Sequence, residues 1–335
     1  MAPRAAIFGS AGPTLSPDEA AFFREADPWG FILFARNIET PAQLRRLTAG
    51  LREAVGRETP ILVDQEGGRV ERLTRPHWRT WRPVLDEFDG DEDRALEAVR
   101  LRYTIISAEL RDVGIDVNCV PLLDVLMPET HKVIGRRALG SDAFSVISRA
   151  GAVLEGTTAG GALPVIKHIP GHGRAAVDSH DELPVVSTPL ADLQATDFAT
   201  FRAFADQPLG MTAHVVFEAV DPDACATLSP ACIAMIRDEI GFQGLLMTDD
   251  LSMKALRGTT AARASGALAA GCDMILHCNG DRVEMAAVAG TAPELSGPAL
   301  DRARRAEDAR TAPADIDIAA AAARYEELTG ELVHG

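Results

Sequence analysis

"PVIKHIPGHG" (164–173) begins as an unbroken apolar run and ends in a lysine, a histidine and a second histidine flanked by glycines. Seven other runs share this form: "AAIFG" (5–9), "GFILFA" (30–35), "PILVDQE" (60–66), "DVNCVP" (116–121), "GMTAHVV" (210–216), "GLLMTDD" (244–250) and "DMILHC" (273–278). Continuously apolar runs are expected of strands covered by helices on both faces. The intervening stretches, such as "TPAQLRRLTAGLREAVG" (40–56) and "TPLADLQATDFATFRAFA" (188–205), carry apolar residues at helical spacing behind a threonine cap. About eight such repeats predict an α/β fold, a (β/α)8 barrel of the TIM type; a doubly wound open sheet is the competing architecture. No linker or second core interrupts residues 1–335, which read as one domain. The barrel covers about 1–290 and a C-terminal helical extension about 291–335, ending in a helix against the barrel's outside.

Composition narrows the function. A formal charge of −16 over 335 residues, with scattered arginines and no basic patch, argues against nucleic acid. The N-terminus lacks a signal-peptide core, and no window has the apolar length of a membrane span. Five cysteines with no CxxC spacing fit a reducing cytoplasm. "FGSAGP" (8–13) lacks the third glycine of a dinucleotide loop. His168 and His172 are four apart, but Pro170 forbids the helix that would make them a zinc pair, so neither metal nor cofactor is expected.

The polar residues at strand ends carry the chemistry. Asp64 and Glu66 close the third run, Asp124 follows the fourth, and Lys167 and His168 close the fifth. His214 lies in the sixth, Asp249 and Asp250 close the seventh, and His277 and Asn279 the eighth. One charge at a strand end is ordinarily a cap; recurrence around a barrel converges on one mouth and reads as an active site. In an extended segment Asp178 and His180 project to the same side, so the carboxylate reaches the imidazole, fixes its tautomer and raises its pKa. The plainer alternative is an aspartate that only orders its own loop. Gly171 and Gly173 speak for a loop with unusual backbone angles or mobility, and a mobile loop around such a histidine fits a lid. Strand alternation turns Asp249 and Asp250 opposite ways, and the residues alone do not say which faces the cleft.

"DQEGGRVERL" (64–73), "VIGRRALG" (133–140), "KHIPGHGRAAVDSHDELP" (167–184), "MTAHVVF" (211–217) and "MTDDLSM" (247–253) together resemble the family 3 glycoside hydrolases, in particular their single-domain β-N-acetylglucosaminidase branch. The resemblance runs from the first strand to about residue 290. It implies a retaining β-N-acetylhexosaminidase that removes terminal GlcNAc from cytoplasmic fragments of peptidoglycan recycling, such as GlcNAc-1,6-anhydro-MurNAc peptides. By position Asp249 matches the nucleophile, His180 the acid/base and Asp178 its partner. Asp64, Arg72, Arg137, Lys167 and His168 match residues that hold the terminal sugar. "GRRAL" departs from the family pattern just where Arg137 aligns. Its partner is then a small carbohydrate, neither nucleic acid nor membrane, and the chain itself is expected as a monomer or weak homodimer. Phosphate in place of water, a broader β-glycosidase, a non-catalytic sugar-binding barrel and a metal-dependent hydrolase are the alternatives.

Overall fold

Each of the eight apolar runs contributes parallel strand, usually over fewer residues than the run itself, in the computed structural model, which describes residues 2–312 and 315–332. In chain order the strands are β1 (Arg4–Gly9), β2 (Pro28–Leu33), β3 (Ile61–Val63), β4 (Val117–Asn118), β5 (Leu163–Pro164), β6 (Ile166–Ile169), β7 (Val185–Val186), β8 (Leu209–Thr212), β9 (Val216–Phe217), β10 (Leu245–Met247) and β11 (Ile275–His277). One sheet has the order β11-β1-β2-β3-β4-β5 and a second the order β10-β8-β6. They are two arcs of one ring. Only Val165 separates β5 from β6, and its N–H bonds the Asn118 carbonyl at 3.0 Å. A parallel bridge from Met247 to Met274, just before β11, closes the other side. The ring is the TIM-type barrel.

Alternation along the strands divides the core. Ile7, Ile32, Leu62, Val117, Val165, Met211 and Met247 fill the interior. Phe8, Phe31, Val63 and Ile166 point the other way, into the helical layer. That layer comprises α1 (Pro17–Ala26), α2 (Pro41–Val55), α3 (Glu92–Asp112), α4 (Ala143–Ala159), α5 (Leu190–Ala195), α6 (Asp197–Arg202), α7 (Pro230–Asp238), α8 (Thr260–Ala270) and α9 (Arg282–Thr291), followed by α10 (Gly297–Asp308) and α11 (Ile318–Thr329). Helix α2 starts where its sequence predicts: Thr40 and Gln43 form a capping box and Gly56 closes the helix in the left-handed region.

One expectation needs correction. The stretch 188–205 is not one capped helix but two short ones, α5 and α6, with no side-chain cap at Pro189. The break at Thr196 is coupled to an ion pair: buried Asp197 takes Arg174 at 2.7 Å. The C-terminal extension ends in the expected outer helix, and its earlier part reaches the interior. Leu295, Ala303 and Ala306 join the interior cluster, and Arg302 pairs with Asp273 at 2.8 Å, so α10 covers the barrel floor at the strand N-termini. Only α11 packs outside, and it lies against α3.

Candidate active site

The carboxyl ends of the strands surround a cavity of about 260 Å³ lined by Asp64, Arg72, Arg137, Lys167, His168, His180 and Asp249. Seven of the eight residues expected from sequence thus share one space. The eighth, Asp178, stands behind His180.

One wall is a network of charges. Just past β3, Asp64 accepts from Lys167 Nζ at 2.8 Å and from Arg72 Nη2 at 3.2 Å. Glu66 takes Arg137 through two bonds of 2.7 and 2.8 Å and Lys167 at 2.7 Å. Burial works against the charged forms, yet Lys167 and Arg72 hold the Asp64 carboxyl well below the carboxylate range. Arg137 and Lys167 do the same for Glu66, and the two carboxylates in turn push the Lys167 ammonium above its ordinary value despite burial. The network presents fixed donors and acceptors with settled charges, which suits sugar hydroxyls.

Next along the ring comes a buried histidine pair. His168 Nδ1 meets Asp124 Oδ2 at 2.8 Å, and the other carboxylate oxygen takes the His172 backbone N–H at 2.6 Å. Asp124 is fully buried and its carboxyl is held low because His168 and His172 outweigh the burial penalty. His172 is not a second site for protons. Burial pushes it down to about 4, and its Nε2 meets Ser179 Oγ at 3.0 Å.

Asp249 faces this wall from the end of β10. Its Oδ1 accepts the Asp250 N–H at 2.8 Å. Burial raises the carboxyl, but the His214 and His168 imidazoles, the Asp250 N–H and His180 together bring it below its ordinary value, so it is ionised. His214 sits behind it, with Nδ1 on Thr227 Oγ1 at 2.8 Å and Nε2 on the Asp250 carbonyl at 3.1 Å. Burial lowers its pKa despite the two carboxylates. Alternation does not separate Asp249 from Asp250, contrary to expectation, because β10 ends at Met247. Both line the cavity, but Asp250 spends its oxygens on Ser252 and the Cys278 N–H, tying two strand ends together.

His180 approaches from a loop. Its Nδ1 lies 2.8 Å from Asp178 Oδ1, and its backbone N–H donates to that same oxygen at 2.9 Å. The contact comes from a turn, not from an extended segment: the Asp181 and Glu182 N–H groups both bond the Asp178 carbonyl at 2.9 Å. Burial is slight, and the His180 N–H groups and ring keep the Asp178 carboxyl below its usual range. With Nδ1 engaged, Nε2 is the nitrogen left for proton transfer. The glycines do not loosen the loop's start as the sequence implies. A Cβ on Gly173 would stand 1.9 Å from the Val125 carbonyl oxygen, so glycine there permits close packing, and Gly171 at φ +143° is buried too. Only the span around Ala176 to Glu182 is largely open to solvent.

Sequence reasoning placed Glu66, Asp124 and His214 at the mouth but gave them no role. Their signal was present in their place at strand ends, but their partners lie on other elements: Arg137 in a turn after β4, His168 on β6 and Thr227 in a turn after β9. Among the described residues no group of three or more His, Cys, Asp or Glu is placed to hold a metal ion, and no helix is long and apolar enough to cross a membrane.

The glycosyl hydrolase family 3 N-terminal domain matches residues 18–305. A β-hexosaminidase of Bordetella avium is 36% identical over 323 residues, covering 94% of this chain and 91% of its own. The crystal structure of native NagZ from Neisseria gonorrhoeae superposes with a TM-score of 0.85 at 28% identity, covering 98% of both chains. A family 3 β-N-acetylglucosaminidase from a Paenibacillus species gives 0.80 at 30% identity, covering 99% of this chain and 63% of its own.

Proposed function

The chain belongs to glycosyl hydrolase family 3, and from that premise we propose that it is a retaining, exo-acting β-N-acetylhexosaminidase. Its substrate is terminal β-linked GlcNAc on soluble peptidoglycan-derived fragments, such as GlcNAc-1,6-anhydro-MurNAc peptides. The observation that carries this reading is the pairing of unlike groups across one cavity: a half-buried, ionised Asp249 and a largely exposed His180 backed by Asp178. The limited cavity supports a single terminal sugar rather than a polymer threaded through it.

In the first step Asp249 attacks the anomeric carbon while the glycosidic C–O bond breaks. The leaving oxygen takes a proton from His180 Nε2, and the Asp178 carboxylate stabilises the imidazolium before that transfer. Neutral His180 then removes a proton from water, whose oxygen displaces Asp249 and restores both groups. Family 3 relatives and the ordinary two-carboxylate scheme share this logic, with an imidazole replacing one carboxyl here. Asp64, Arg72, Arg137, Lys167 and His168 hold the sugar in place.

Release of the aryl group from an aryl β-GlcNAc, measured beside the aryl β-glucoside and with or without EDTA, tests this function. We expect a strong preference for GlcNAc and no effect of the chelator. Equal kcat/KM for the two sugars contradicts the assignment, and loss of activity in EDTA points to a metal-dependent enzyme.

A further inference from the structure

Helix α11 lies outside residues 18–305, which match the family, yet a buried chain of hydrogen bonds joins it to the sugar-binding wall. Fully buried Tyr325 donates its O–H to Glu87 Oε1 at 2.5 Å. The Glu87 carboxylate, with no exposed surface, also holds Arg102 Nη1 at 3.0 Å and Arg82 Nη2 at 2.7 Å. Arg102, likewise inaccessible, extends Nη2 to the Glu66 carbonyl at 2.9 Å, and Tyr103 Oη donates to that same oxygen at 2.9 Å. The other end of Glu66 is the carboxylate that grips Arg137 and Lys167.

Packing one helix on another does not require this chemistry. Burying the Glu87–Arg102 pair costs solvation that apolar side chains of similar volume avoid, so mere attachment of α11 is poorly served by it. The backbone is shaped around the pair as well. Gly67 has φ +91°, and a Cβ there would stand 2.0 Å from Arg102 Nη2, so the guanidinium occupies the space a side chain would take. Trp81 fills the remainder, edge-on to the Tyr325 ring at 5.2 Å with Arg102 over its own ring at 5.5 Å.

We propose that α11 is a working part of the active site: Tyr325, Glu87, Arg102 and Tyr103 are positioning residues that fix Glu66, and through it Arg137 and Lys167, in the geometry that receives the sugar. This rests on the proposed function only for what the wall binds. An enzyme lacking the Tyr325 hydroxyl would keep its nucleophile and acid/base but bind sugar less well.

Tyr325→Phe removes one oxygen and keeps the ring against Trp81; Tyr103→Phe removes a donor directly from Glu66. Each should raise KM for aryl β-GlcNAc, and weaken GlcNAc binding by calorimetry, roughly three- to tenfold, the scale of one buried hydrogen bond. Values of kcat should change less than twofold. In a Glu66→Gln background the Tyr325→Phe effect should shrink below twofold, because the intermediary is gone. A lowered Tm with unchanged KM and GlcNAc affinity makes α11 structural only and overturns the proposal. The same factor with and without Glu66→Gln also overturns it. A wild-type protein that neither cleaves aryl β-GlcNAc nor binds GlcNAc instead sinks the functional reading, and this one with it.

Discussion

Two histidine–aspartate pairs lie side by side in this molecule at the same 2.8 Å, Nδ1 to carboxylate oxygen. In the first, His168 and Asp124 are 8% and 0% exposed; in the second, His180 and Asp178 are 64% and 25% exposed. Distance therefore says nothing about which pair moves protons. Surroundings do. Asp124 also holds the His172 backbone and sits in the barrel wall, so His168 is an anchored binding group. The Asp178–His180 pair rides on a turn open to water, where an imidazole can exchange its proton and reach a leaving oxygen. Both pairs influence Asp249, which they flank.

Separating the two pairs by kinetics gives the largest expected effect. His180→Ala should lower kcat for natural GlcNAc glycosides by on the order of 10²–10⁴, the worth of a positioned acid/base. His168→Ala should act mainly on KM. A KM-only defect in His180→Ala, with the kcat loss in His168→Ala, would reverse the two roles.

Stability should divide them the other way. Asp124→Asn leaves a buried imidazole without its carboxylate and should cost about 3 kcal/mol of unfolding free energy. Asp178→Asn, at a partly exposed turn, should leave the denaturant midpoint close to wild type. Equal losses in the two variants would remove burial as the distinguishing feature.

Asp178→Asn should nonetheless slow turnover roughly tenfold, the scale of one charge-assisted hydrogen bond. Its pH dependence follows from the lowered Asp178 carboxyl. A depressed carboxyl contributes its interaction fully above its unfolded value, about 3.9, and loses it as pH falls through the lower folded value. The wild-type to Asp178→Asn rate ratio should therefore stay above one wherever Asp178 is ionised and fall away in acid as that carboxyl protonates. A ratio that vanishes between pH 5 and 8 contradicts the pairing.

The smallest effect comes from a carboxyl whose burial goes uncompensated. Burial raises Glu71 from 4.5 to about 7, against the Trp81 N–H and the Arg102 charge. A raised acid favours the protonated form in the fold, so stability is full below the ordinary value and declines as pH rises toward 7. Glu71→Gln should flatten that decline in Tm. A wild-type Tm that rises from pH 4.5 to 7 by an amount that Glu71→Gln removes would give the opposite sign.

Much of this was legible in the sequence. Continuous apolar runs and polar strand ends identified the barrel and its mouth, because burial on both faces and the strand C-termini leave direct marks on residue order. Glu66, Asp124 and His214 were visible but unassigned, since their partners Arg137, His168 and Thr227 lie in a turn after β4, on β6 and in a turn after β9, and only folding brings them together. The Asp178–His180 contact was anticipated with the wrong local geometry. A turn and an extended segment both bring i and i+2 together, and only the backbone bonds to the Asp178 carbonyl tell them apart. The glycines were read as unusual backbone angles or mobility, and Gly171 at φ +143° has the first, while Gly173 serves close approach, which calls for the same residue.

The contrast between the pairs is tested most directly by the leaving-group dependence of each histidine variant. Aryl β-GlcNAc substrates spanning a range of phenol acidity would be compared under conditions where the first step limits the rate. Loss of the proton donor should make His180→Ala steeply dependent on leaving-group acidity, nearly as fast as wild type on the most acidic phenols and far slower on the least. His168→Ala should keep the wild-type slope and be slower on all of them alike. A wild-type slope in His180→Ala, or a steepened one in His168→Ala, would contradict the assignment of the exposed pair as the one that moves the proton.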